Sequence, residues 1–138
     1  MLSPNRTKIL IPQTTLAAAQ TVIGDVVAIP FCARTLAVLT KFVRAAGGTT
    51  VDVYIQTTLD GESTWIDIMN QAFATTTANK ISVVKTDIAV AAGATPTDGT
   101  LTDNTILDGV MGDRIRCKYV VVGTYSGASH ITVTAVVN

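Results

Sequence analysis

The feature that most constrains this chain is apolar alternation at period two, repeated in three segments. From Thr50 to Leu59, the residues Val51, Val53, Ile55, Thr57 and Leu59 share one side, and Asp52, Tyr54, Gln56 and Thr58 share the other. From Arg114 to Val122, Ile115, Cys117, Tyr119 and Val121 oppose Arg114, Arg116 and Lys118. Near the end, Ile131, Val133, Ala135 and Val137 alternate with His130, Thr132 and Thr134. Successive side chains of an extended backbone point to opposite faces, so this spacing predicts strands with one face buried and is wrong for a helix.

Further strands are expected at 35–45, 65–69, 81–85 and 8–12. Leu36, Val38 and Phe42 oppose Leu39, Lys41 and Val43 in the first, and Ile66 and Ile68 are expected to point inward in the second. Pro12 ends the last of these, where a missing donor does no harm. Gly47-Gly48 and Asp60-Gly61 supply turns, so residues 35–69 read as a three-stranded meander. Gly123 to Gly127 read as a hairpin turn between the last two strands. Seven or eight short strands with such turns predict an all-β fold, an antiparallel β-sandwich or jelly roll. Two stretches, 13–34 and 88–112, show no such period. The second, with Pro96 and several glycines, reads as a loop longer than compact domains usually carry without a use for it.

One domain is expected at 138 residues. Charged residues are only 14% of the chain, and ten basic residues balance ten acidic ones. No basic stripe exists to meet phosphates, so nucleic acid is not an expected partner. Weak net charge leaves little repulsion between copies, so a homo-oligomer is expected. The uncharged stretch Ile9 to Gly24 holds Pro12, Gln13 and Gln20 and is too polar to span a membrane. The same interruption spoils it as a signal peptide, so no export is expected.

Candidate chemistry is sparse. Cys32 and Cys117 lack metal-ligand spacing and read as two buried thiols. The single histidine, His130, falls on the outward side of the last strand with no motif supplying a partner for acid–base work. Asp98, Asp103, Asn104, Asp108 and Asp113 are oxygen donors, but their spacing fits turn formation better than a calcium loop. Trp65 is expected to pack across its hairpin, and Arg114, Arg116 and Lys118 to form a solvated strand face. No catalytic residue, cofactor or metal site is expected, and the chain reads as a structural protein. A reading of another class, a carbohydrate-binding sandwich, would use Trp65, Tyr54 or Tyr125 as stacking platforms.

Residues 53–68, V-Y-I-Q-T-T-L-D-G-E-S-T-W-I-D-I, resemble a strand, Leu-Asp-Gly turn and Thr-Trp-x-Asp-Ile stretch found in small structural proteins of tailed bacteriophages and related gene transfer particles. Residues 107–116, L-D-G-V-M-G-D-R-I-R, and the close at Gly123-Thr124-Tyr125 with Ile131-Thr132-Val133 are similar to later parts of the same proteins. The resemblance covers residues 35–137 and implies a virion protein: a capsid decoration protein on the major capsid protein lattice, or a low-copy vertex, neck or tail component. On this reading residues 1–20 are an extended N-terminal arm and 21–138 the sandwich. The expected partner contacts are Leu2, Pro4, Ile9 and Ile11 on the arm, with Pro96, Leu101 and Ile106 on the long loop.

Overall fold

A computed structural model describes residues 7–30, 32–89 and 92–138. Among these there is no helix, and the strands in chain order are β1 (Thr7–Thr15), β2 (Gln20–Ile23), β3 (Val27–Ala28), β4 (Thr35–Val43), β5 (Ala46–Gly47), β6 (Thr50–Thr57), β7 (Ile66–Phe73), β8 (Ala78–Lys85), β9 (Arg114–Val122), β10 (Tyr125–Ser126) and β11 (His130–Val137). Leu2 and Pro4 lie outside the described residues.

All pairings are antiparallel. Sheet one runs β1-β11-β4-β8 and sheet two β2-β9-β6-β7, with β3 also on β9. Among the eight long strands the first pairs with the last, the second with the seventh, the third with the sixth and the fourth with the fifth. That nested order is the wrap of a jelly roll, two sheets closed over one core.

The alternation read from the sequence builds that core. Leu36, Val38 and Phe42 of β4 and Ile131, Val133, Ala135 and Val137 of β11 face Val51, Val53 and Ile55 of β6 and Ile115, Cys117, Tyr119 and Val121 of β9, all of them buried. Phe42 packs on Phe73 at a ring separation of 5.1 Å and meets Tyr125 edge-on at 5.8 Å. Gln71 of β7 crosses from sheet two: its Nε2 donates to Lys80 O and to Ser82 Oγ of β8, and its Oε1 accepts from Thr40 of β4. A buried amide is stable there because each side of it has a partner.

The structure corrects two turns. β4 lies in sheet one and β6 in sheet two, so 35–69 is not a meander and Gly47-Gly48 is an arch between sheets. Likewise 123–127 joins β9 of sheet two to β11 of sheet one and is not a hairpin. The two arches run side by side and pair with each other as β5 and β10, Tyr125 against Gly47 and Ser126 against Ala46. Gly48, at φ +76°, has the Tyr125 ring where a Cβ would stand. Turn residues specify that the chain reverses, and the core decides which sheet the returning strand joins.

Two smaller differences follow from strand ends. Leu59 was expected to continue the inward side of β6, but the strand ends at Thr57 and Leu59 is 65% exposed. From Thr7 onward the expected arm is already β1, hydrogen-bonded to β11, with Ile11 buried in the protein's own core and Ile9 projecting outward.

Candidate functional site

The outer faces of the two sheets differ completely. On sheet two, β6 presents Asp52, Tyr54 and Gln56, β7 presents Asp67 and Asn70, and β9 presents Arg114, Arg116 and Lys118. The registers Tyr54–Asn70 and Gln56–Asp67 on one side, with Tyr54–Lys118 and Gln56–Arg116 on the other, set these groups side by side. The long segment after β8 folds over them, so Tyr54, Gln56, Asp67 and Asn70 are buried.

Asp67 organises the covering. Its Oδ2 accepts from Thr97 Oγ1 at 2.9 Å and from the backbone N–H groups of Gly99, Thr100 and Leu101 at 2.7, 3.1 and 3.2 Å. Its Oδ1 accepts from Gln56 Nε2 at 2.8 Å. A run of backbone N–H groups wrapped around one carboxylate gives it the charge-assisted bonds that make its burial tolerable. The same segment caps the free edge of β7: Asp67 N donates to Thr97 O, Asn70 N to Thr105 O and Leu107 N to Ile68 O. Asn70 Oδ1 accepts from Asn104 N and its Nδ2 donates to Leu101 O. Asn104, at φ 56°, accepts at Oδ1 from Ala72 N and from Lys80 Nζ.

The basic run of β9 is therefore engaged and not a free solvated face. Arg116 donates to Gln56 Oε1 at 2.8 Å and lies over the Trp65 ring at 4.2 Å from its centre. Lys118 pairs with Asp98 at 2.9 Å and Arg114 with Glu62 at 2.6 Å. The hydrogen bonds from Lys118 and Gln56 hold the Asp98 carboxyl below its usual pKa. Asp52 departs in the other direction. Burial, and then the charge of Asp103, push its carboxyl upward, and its Oδ1 finds no hydrogen-bond partner among the described residues.

Where the covering segment meets the turn after β6, Leu59, Ile66, Ala94, Thr95, Pro96, Leu107 and Val110 line a shallow apolar recess of about 290 Å³. Of the loop contacts expected from sequence, Pro96 stands on this recess, Ile106 is 41% exposed beside it in a bridge to Met69, and Leu101 is half-buried under the Asp67 network. Ile9 lies on the outer face of sheet one, and Ile11 is buried and not available to a partner. Asp67 was missed, although an acidic residue inside a strand is itself a signal that a partner must cover it.

Other expected residues resolve as follows. Trp65, Tyr54 and Tyr125 are 9%, 6% and 2% exposed, so the platforms named for sugar stacking are covered. Trp65 lies beneath the guanidinium of Arg116. Cys117 is buried, which pushes its thiol far up, whereas Cys32 is exposed. His130 makes a local contact, Nδ1 to Ala128 O at 2.8 Å. Asp108 accepts from Lys85 N, which is a connecting role, and among the described residues no group of three or more acidic, His or Cys side chains is placed to hold a metal.

Among the described residues, no segment covers the outer face of sheet one. Two rows cross it, Ile9–Thr134–Leu39–Ile81 and Thr7–Val136–Ala37–Val83. Ile81 is 74% and Ile9 64% exposed, and Val83 and Val136 are exposed as well. The four strands of this sheet contain no Asp or Glu. Compared with known proteins, the chain matches no family model, and no curated protein matches its sequence.

Proposed function

We propose that the protein is a structural component of a virus particle, a decoration protein that binds the major capsid protein lattice without catalysis or a cofactor. The observation that carries this reading is the apolar recess at Leu59, Ile66, Pro96, Leu107 and Val110, set in a segment that Asp67 has already fixed. A contact surface ordered before binding avoids the entropy loss of ordering a loop on contact. The polar groups of sheet two are consumed in building that surface. The jelly roll agrees with the reading by analogy of fold, since viral capsid proteins are among those that use it. Attachment through an apolar recess resists salt, because screening weakens only charged contacts.

The test is the copy number of this protein relative to the major capsid protein in purified particles, by quantitative mass spectrometry. A ratio near that of the capsid protein is expected. A few copies per particle would move the protein to a vertex, neck or tail, and its absence would overturn the virion reading. Leu59→Glu, on the rim of the recess, is expected to release the protein from particles while the fold persists.

A further inference from the structure

We propose that the outer face of sheet one is a self-association surface, on which a second copy of this chain stacks face to face. Three of the four sheet edges are obstructed to strand addition, and the fourth, β2, is only four residues long. The free edge of β7 is capped by 97–107, β1 carries Pro12 and two register irregularities, and β8 is engaged by Gln71 and by Asp108. What is left open is the face.

Its size fits a dimer. Four strands about 4.8 Å apart and eight residues rising about 3.3 Å each give a face of roughly 19 by 26 Å. That is about 500 Å² in projection, and side-chain relief carries it toward the ~800 Å² per partner of a stable complex. Its layout fits too. The two central rows hold Ile9, Leu39, Ile81, Val83 and Val136 and no ionisable side chain. Lys41, in register with Asn79, and Lys85, in register with Thr35, stand at opposite ends of the face. An uncharged centre with charges at the rim is the anatomy of a protein interface, and the long lysine stems reach solvent from its ends.

A second copy is the occupant that suits this centre. A charged partner would set carboxylates over isoleucine and valine, at a desolvation cost nothing there offsets. A like face brings more β-branched side chains, which interdigitate when sheets stack about 10 Å apart. Formal net charge is zero, so two copies meet without net repulsion. The contact is isologous, so each substitution on the face acts twice. This inference does not depend on the virion reading, because none of the residues lining the recess belongs to the rows of the sheet-one face.

Sedimentation equilibrium of the purified chain from about 1 to 100 µM tests it across the affinity range of such contacts. The expected mass is twice the 14.4 kDa of one chain, and it holds at raised salt. Ile81→Glu and, independently, Ile9→Lys are expected to weaken the dimer roughly 30-fold or more, with the circular dichroism spectrum unchanged because both side chains are exposed. Ile23→Glu, an exposed position on β2 of sheet two, leaves the dimer intact. A monomer throughout the range, a dimer that survives both sheet-one variants, or one that only Ile23→Glu dissociates would each overturn the proposal.

Discussion

The two sheets share a core but face outward in opposite ways. Sheet two carries two carboxylates, two amides and three cations on its outer surface, and the segment 97–107 is folded down over part of it and fastened by hydrogen bonds. Sheet one carries rows of isoleucine, valine, leucine and threonine with no segment over them among the described residues. Polar strand faces can recruit a loop from their own chain because backbone N–H and C=O groups find partners there. An apolar face offers such a loop no partners for its backbone. Its natural cover is another apolar sheet surface, which brings no unpaired backbone groups.

Substitutions can break this comparison. The largest effect is expected from Asp67→Ala, which leaves Gln56, Thr97 and three backbone N–H groups without their acceptor. It should cost about 3 kcal/mol or more in urea denaturation, with hydrogen exchange in 97–107 accelerated beyond the rest of the chain. If that segment stays protected, the carboxylate is not what fastens it.

A smaller effect of opposite sign is expected at Asp52. Its carboxyl pKa is raised in the folded protein, so between the ordinary value and the raised one the folded state binds more proton than the unfolded chain. Stability contributed at this site therefore falls as pH rises from the ordinary carboxyl range through the raised value. Asp52→Asn removes the titration. Thermal denaturation should find the variant more stable than the parent at pH 7 and equal to it near pH 3. A variant that is less stable at pH 7 would mean the charge has a partner. The smallest effect belongs to sheet one: Ile81→Thr should change the stability of the monomer by no more than about 0.5 kcal/mol, as an exposed position should. A larger loss under monomeric conditions would show that the bare face is packed within the single chain.

The strands were legible because alternation reports burial directly, and residues such as Val51, Val53, Ile131 and Val133 fall where that rule puts them. Sheet membership was not legible at Gly47-Gly48 or at 123–127. A glycine turn looks the same whether it closes a hairpin or arches across the core, and only the aromatic packing of Phe42, Phe73 and Tyr125 separates the cases. The covering of sheet two was half legible. Tyr54 and Gln56 read as outward, which they are, but their burial depends on a segment some 40 residues away with no periodicity of its own. Of the acidic residues in that segment, Asp103 and Asp108 stand in turns and Asp98 pairs with Lys118 and Gln56, while the acidic residue that holds the segment, Asp67, lay inside a strand.

The nested pairing has a temporal consequence. β11, the last strand in the sequence, lies in the interior of sheet one, between β1 and β4. During synthesis β1 and β4 wait, their inward side chains uncovered, until residues 130–137 leave the ribosome, and sheet two cannot close over a core that is still missing a wall. Contacts joining Thr7 to Val136 span nearly the whole chain, so closing them carries a large loop entropy and makes folding slow. Truncation before β11 therefore yields no smaller domain.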